Sequence, residues 1–494
     1  MSGLLAELIE MGEAAPCQPW PRATLNRRGW AVAIGCLTAG DFSLVDFWGE
    51  PDAVHIAVLE EATNALAVLS FRPRGGGFLS LGAHHAPAIR LERALHDLWG
   101  HRPDHAKDDR PWLDHGRWGP RSRVGVSPYA FLPTEGENLH QIPVGPVHAG
   151  VIEPGHFRFT ASGETVVRLE ARLGYVHRGV ESLMAGQPLE RAAHLAGRIC
   201  GDSTVAYALA FARAVEAATG SEAPPRAVWL RALMAELERL ANHFGDIGAI
   251  CNDASFSLMH AHCAVLRERV LRASAAAFGH RLMMDRIVPG GVGTDPGPAG
   301  LGPIAALTFE IEPRFEALVE LYDGTASLQD RTVGTGVVKP ELVNRFAAGG
   351  YVGRASGRSF DARRASTYPP YDVLAFETPV RDGGDVDARV WVRIEEVRQS
   401  LSLISQILER LPGGPIRAAL APVSGEGMAL VEGFRGDVFA WVRLDVEGRV
   451  ERARLRDPSW FQWPLLEACI EGAIVADFPL CNKSFNCAYA GVDL

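Results

Sequence analysis

Nowhere in the 494 residues do two cysteines stand three apart. Without a C-x-x-C, the chain lacks the usual ligand spacing of a self-contained iron–sulfur cluster. Eight cysteines in a chain of this length fit a reducing compartment, where thiols stay free. No stretch reaches the roughly 18 to 20 apolar residues that span a bilayer. Basic blocks are missing too: the net charge is −10, and phosphate backbones need clustered cations, so nucleic acid is excluded as a partner. The opening residues, MSGLLAELIEMGEAAP, are acidic and lack a signal-peptide pattern. A cytoplasmic protein is expected, with any membrane link made through a partner.

What is present is an ordinary globular composition, 47% hydrophobic and 22% charged, in a chain long enough for two or three domains. Up to about residue 130 it reads as a small α/β unit. AVHIAVLEE and ALAVLSF have strand composition, RPRGGG breaks the second, and APAIRLERALHDLWGHRP reads as an amphipathic helix. KDDRPWLDHGRWGPRSR, residues 107–123, reads as a linker. From about 165 to 410 the pattern is mostly helical. In WLRALMAELERLANHFGDIGAI, Leu230, Leu233, Leu237, Leu240, Phe244 and Ile247 form one apolar stripe. Glu236, Arg239 and His243 follow the same spacing beside it; periodicity alone makes them the polar flank of a core helix. MALVEGFRGDVFAWVRLDVEGRVERARLRD alternates with period two, with an EG turn between two strand-like runs, as a β meander. PLLEACIEGAIVADFPL predicts one more short helix near the end.

Three features carry chemistry. Cys200 precedes GDST, where Asp202 or Ser203 suits the N-cap of a helix that ends near Gly220. A thiol at a helix N-terminus has a lowered pKa, suited to a ligand or nucleophile; a single cysteine is more often a small buried hydrophobe, as most free cysteines are. Cys481 and Cys487 are six apart with Ser484 midway, so any step of three pairs a thiol with a poorly ligating hydroxyl. His148 sits in LHQIPVGPVHAGVIEPGHFRF, a Gly/Pro-rich, hairpin-like context where it could titrate or hydrogen-bond a ligand near neutral pH.

Taken in order, GPVHAGVIEPGHFRF, GYVHRGVESLMAG, RICGDS, ELERLANHFGDIG, RIVPGGV, RTVGTGVV, VGRASGRSFDARR and YDVLAFETPVRDGGDVDARVWVRIEEVRQSL resemble the large subunit of membrane-bound, energy-converting nickel–iron hydrogenases of the formate-hydrogenlyase and hydrogenase-4 type. They are equally similar to the quinone-site large subunit of respiratory complex I. The first segment resembles the small α/β subunit of complex I. The resemblance implies an α+β fold: residues 1–130 as that small α/β domain, and residues 131–494 as a mainly helical core with β segments.

The departures from the family bear on function. Arg198, Cys200 and Gly201 match the family's R-x-C-G-x-C, but Ser203 replaces its second cysteine. At the end, Phe478 separates Asp477 from Pro479, no C-x-x-C follows, and no His lies beyond Cys487. The resemblance therefore implies a cradle kept without its nickel–iron centre, no firmly bound cofactor, and Cys200, Cys481 and Cys487 as vestigial ligands. In complex I the matching cradle is a quinone-headgroup pocket, which puts the headgroup's hydrogen-bonding histidine at His148. Arg198, Cys200 and Asp202 would form the opposite wall. Glu236, Arg239 and His243 match the helix motif E-L-x-R-x-x-x-H, and Arg354 and Asp361 belong to a segment near the cavity. The implied protein is a subunit of a redox complex on the cytoplasmic side of the inner membrane. It would take electrons from an iron–sulfur small subunit, pass them to a quinone-like acceptor, and work beside antiporter-like and quinone-channel-like membrane-arm subunits. An unusual hydrogenase using Cys200, Cys481 and Cys487 with an oxygen ligand, or a non-catalytic structural subunit, are the competing readings.

Overall fold

The computed structural model describes residues 3–73, 75–116, 118, 129–148 and 152–494. The first of its layers is a five-stranded sheet in the spatial order Glu13–Ala15, Arg22–Leu25, Ala65–Phe71, Val54–Glu60, Ser43–Gly49. The two strands read from AVHIAVLEE and ALAVLSF pair antiparallel, while Arg22–Leu25 runs parallel to Ala65–Phe71. Every residue of Val54–Glu60 is buried, because both faces of this sheet are covered. Successive side chains of a strand point to opposite faces. Val54, Ile56 and Val58 join the core that holds Trp30 and Phe71. Ala57 and Leu59 join a second core with Met428, Leu430, Phe439 and Trp441 of the C-terminal meander. The amphipathic helix forms as Ile89–Trp99 and stops at Gly100, whose left-handed conformation (φ 74°) closes it.

The stretch read as a linker behaves otherwise where it is described. Trp112 and Leu113 are buried, and the Asp97 carboxylate accepts the backbone N–H groups of residues 112, 113 and 114. Residues 117 and 119–123 of that stretch lie outside the described residues. Composition alone could not show that a Trp-Leu pair here anchors the strand-rich front of the molecule to the helical core.

The helical core is built on Pro225–Asp253, begun by Pro225 and flanked by Ser257–Phe278 and Val386–Arg410. Its apolar stripe is buried as the periodicity predicts, and so is its polar one: Glu236, Arg239 and His243 are each at most 1% exposed. Helix Thr204–Thr219 lies between this helix and the meander, whose strands are Gly425–Glu432, Asp437–Leu444 and Val450–Arg456. Its second turn holds Glu447 and Gly448, one of the two EG pairs of this stretch. The end of the chain differs from the single helix expected. It breaks at Gly472 (φ 83°) into Ser459–Cys469 and Phe478–Phe485, followed by a last turn, Ala490–Asp493.

Candidate functional site

Cys200 is extended and leads through a tight turn, Gly201–Ser203, into helix Thr204–Thr219. Neither Asp202 nor Ser203 caps that helix with its side chain. Glu238, reaching across from the central helix, accepts from Val205 N at 2.7 Å and Ala206 N at 3.1 Å instead. Asp202 is thereby released for another task. It meets Arg435, from the short turn between the first two meander strands, in a two-pronged ion pair. Arg435 Nη1 also donates to Ser203 Oγ at 2.9 Å and lies 3.7 Å from Cys200 Sγ, while Nε donates to the Asn486 carbonyl at 2.5 Å. One guanidinium thus ties the front of the cradle to the end of the chain. Glycine makes the approach feasible: a Cβ on Gly350 would stand 1.9 Å from the Arg435 carbonyl oxygen.

Cys200 is a buried thiol, the commoner of the two readings of its place in the sequence, and not an activated one. It donates to Asp202 Oδ1 at 2.9 Å. Burial, then the charge of Asp202, pushes its pKa well above the ordinary value and outweighs the nearby Arg435. Asp202 is the reverse case: burial opposes its ionisation, but Arg435 outweighs burial and keeps it a carboxylate.

The other cysteines do not complete a ligand set. Cys481 is buried beside Cys469, whose influence lowers its pKa, while the Cys469 thiol donates to the Leu466 carbonyl at 3.3 Å. The Cys481 sulfur lies against Gly336 and Arg389, where a Cβ on Gly336 would come within 2.6 Å. Cys487, next to Asn486, is the cysteine that returns to the cradle; burial pushes its thiol far up. The same returning segment passes Asp457, which accepts from Tyr207 Oη at 2.8 Å. A Cβ on Gly491 would stand 2.6 Å from the Asp457 carboxyl carbon. A thiolate-bridged nickel–iron centre does not fit these residues. One thiol is replaced by Ser203, Cys481 lies against Gly336 and Arg389, and the Arg435 guanidinium stands among the remaining donors.

Arg198 lies apart from this cluster. It forms an ion pair with Asp285, with 45% of its side chain exposed. His148 lies in the loop leading from strand Leu139–Val144 toward His156–Ser162, and residues 149–151 of that loop fall outside the described set. Its Nε2 is 2.7 Å from the Gly155 carbonyl and its ring lies against Phe157. The loop meets the returning segment where Glu153 accepts from Ala490 N at 3.0 Å.

Behind the cradle, the polar stripe of the central helix is part of a buried ionic network. Glu236 accepts from Arg363, Tyr371 and Ser400 at 2.7–3.0 Å. Arg239 donates to the carbonyls of Glu432 and Gly433. His243 Nε2 lies 2.6 Å from Glu396, which also binds Arg354. Burial lowers the His243 pKa despite Glu396, so the neutral ring donating from Nε2 fits; Nδ1 has no partner among the described residues. Asp361 caps helix Ala362–Ala365 and pairs with Arg363. Phe434 links the two clusters, with its ring 6.2 Å from His243 and 4.5 Å from the Arg435 guanidinium. Sequence reasoning missed Arg435 and Glu238: neither is singled out, and Glu238 falls on the unspecified position of E-L-x-R-x-x-x-H.

Helical core, cradle and flanking sheets together define a hydrogenase-type large subunit. Residues 178–245 match the family model described as nickel-dependent hydrogenase, and 253–423 the one described as respiratory-chain NADH dehydrogenase, 49 Kd subunit. The chain belongs to the family of nickel–iron hydrogenase large subunits and their complex I counterparts. It is 32% identical to the carbon monoxide-induced hydrogenase of Rhodospirillum rubrum, over 71% of this chain and 98% of that one. It is 30% identical to formate hydrogenlyase subunit 5 of Escherichia coli (strain K12), over 82% and 75%. Among solved structures, the membrane-bound sulfane sulfur reductase, an archaeal respiratory membrane complex, superposes with a TM-score of 0.68 at 28% identity, over 72% of this chain and 99% of that one. The protein is an oxidoreductase subunit of this kind of membrane-bound complex. No helix among the described residues is long and apolar enough to cross a membrane.

Proposed function

We propose that the chain is a metal-free large subunit that takes electrons from an iron–sulfur partner and delivers them to a quinone-like acceptor beside the cradle. It would sit on the cytoplasmic side of the membrane, held there by membrane-arm partners. Residues 1–130 would act as a fused small-subunit domain that braces the meander. The observation that carries this reading is Arg435, whose guanidinium stands among Cys200, Asp202 and Ser203. A fixed cation in a dry site stabilises negative charge as it develops on an organic acceptor, which is the service a metal would otherwise provide. His148, on the loop that abuts the returning segment, would be the second donor, exchanging the Gly155 carbonyl that its Nε2 now meets for the acceptor's oxygen.

The test is turnover of the intact complex with a panel of acceptors: quinones, protons and, because of the structural neighbour, sulfane sulfur. His148→Ala is expected to cut quinone-dependent turnover by about 10²–10³-fold while leaving assembly intact. Cys200→Ala should cost far less, since its thiol is protonated and carries no metal. The opposite order would favour a surviving metal site, and no effect of either would favour a structural subunit.

A further inference from the structure

Asn486 makes the last bend before the cradle, in the left-handed conformation (φ 44°, ψ 45°) that closes helix Phe478–Phe485. Its N–H donates to the Asn482 carbonyl at 3.0 Å, and its own carbonyl accepts from Arg435 Nε. Glycine ends a helix this way without strain, so the stop alone does not call for the amide of Asn486. Its Nδ2 donates to Asp246 Oδ1 at 2.9 Å. Asp246, on the central helix, is fixed in turn: its Oδ2 accepts from Arg393 Nε at 3.1 Å. Arg393 is fully buried, lies over the Tyr351 ring, and donates through Nη2 to the Ser484 carbonyl at 2.7 Å. Residues 484–486 are thereby gripped at both ends from helices Pro225–Asp253 and Val386–Arg410. The turn that carries Arg435 is held separately, by Gln462 Nε2 donating to the Arg435 carbonyl at 2.8 Å.

We propose that Asn486 is the positioning residue that aims the Arg435 guanidinium into the cradle. The proposal rests on the oxidoreductase reading above and adds what directs its cation. A guanidinium is planar, with its five N–H groups in a fixed fork. Gln462 fixes the backbone from which the Arg435 side chain starts, and the Asn486 carbonyl fixes its Nε edge. Both remaining nitrogens then face the cradle. Nη1 donates to Ser203 Oγ at 2.9 Å and to Asp202 Oδ1 at 2.8 Å, and Nη2 donates to the other Asp202 oxygen. The left-handed bend sets the direction of the Asn486 carbonyl, and the bond to Asp246 keeps that bend from relaxing. Without the amide the cation stays in the site, because the two-pronged pair with Asp202 survives. Its Nε edge, however, loses a fixed stop, and the fork can rock about that pair. A donor stabilises developing charge only when it stands about 2.7–3.1 Å from the atom that gains it. A displacement of about 1 Å costs on the order of 10²-fold in rate. Asn486 therefore acts on turnover without touching the acceptor.

The test compares wild-type, Asn486→Gly, and the exchange Asn486→Asp with Asp246→Asn, all in the intact complex. Glycine keeps the left-handed bend and the carbonyl and removes only the amide. The exchange keeps the charge of the pair and reverses its hydrogen bond, the amide now donating from position 246 to a carboxylate at position 486. Asn486→Gly should lower kcat for quinone reduction by about 10²-fold. KM should stay within about twofold, because an aim that matters only as charge develops acts on the transition state. Reduction of the partner's iron–sulfur clusters by the electron donor should be unchanged. The exchange should restore most of kcat. A wild-type kcat in Asn486→Gly, a rise in KM in place of the loss of kcat, or an exchange no faster than Asn486→Gly would each overturn the proposal. A structure of the Asn486→Gly complex reads the same claim without turnover. The guanidinium should remain on Asp202 with Nε released from the carbonyl of residue 486; an unmoved guanidinium would refute the aim. If the wild-type complex reduces no acceptor although its clusters are reduced, the oxidoreductase reading fails, and that structure still decides what aims Arg435.

Discussion

At the scale of single residues, Arg435 decides what the cradle can do. Removing a cation from a buried pair leaves the partner charge unsolvated, which costs about 3–5 kcal/mol when both are fully enclosed. Asp202 keeps 32% of its side chain exposed, so Arg435→Met should cost less, about 1–3 kcal/mol. The double variant Arg435→Met with Asp202→Asn should recover most of it; thermal unfolding of the complex measures both, and equal losses in the two would show that the pair is not what Arg435 serves. Little of this was legible in the sequence. The cradle's front cysteine is legible from its motif, and its burial is the commoner expectation for a lone thiol, but the partners that hold it are not legible. A helix N-terminus lowers a thiol's pKa through its open N–H groups, and here Glu238 from another helix takes two of them. Arg435 meets its partners across more than 230 residues of sequence, a separation at which local spacing carries no signal. Cys481 and Cys487 looked equivalent as thiols, and only the break at Gly472 and the final turn decide which returns to the cradle.

Among the elements, the central helix and the two sheets show why some of the fold could be read and some could not. The hairpin strands Val54–Glu60 and Ala65–Phe71 were visible because two covered faces leave an unbroken apolar run. The central helix was visible from its leucines. That its polar stripe is equally buried was not, because burial of Glu236, Arg239 and His243 depends on Arg363, Tyr371, Ser400, Glu396 and Arg354, which come from elements far along the chain. The packing of the first sheet on the meander was also invisible. It is fastened by Glu50–Arg443, Arg22–Glu426 and Asp46–Arg454, around Trp48, His55 and Trp441 stacked together. Burial alone would raise the Glu50 carboxyl, but hydrogen bonding and charge from His55 and Arg443 outweigh it and bring its pKa from 4.5 down to about 2. A carboxyl depressed on folding contributes stability that is present above its unfolded pKa and lost as pH falls. Hydrogen exchange in Val54–Glu60 should therefore speed up as pH drops from about 4.5 toward 2, after correction for intrinsic rates. Glu50→Gln should flatten that dependence; a wild-type profile in the variant would show that the clamp lies elsewhere.

For the molecule as a whole, the fold places one apolar sheet face against another and leaves the chain dependent on both. A truncated chain starting at residue 131 would uncover Met428, Leu430, Phe439 and Trp441 together, a patch of the kind that drives association. It should aggregate, and the full chain made without partners should also self-associate, since permanent interfaces in such complexes are large and apolar. Monodisperse monomers of either in size-exclusion chromatography would contradict the account at this scale. Its central claim is that an arginine–aspartate pair has taken the place of the metal. Elemental analysis of the complex purified from nickel-replete cells tests it most directly. No nickel is expected above the level of a metal-free control protein, because too few soft ligands remain to hold it; about one nickel per chain would contradict the claim.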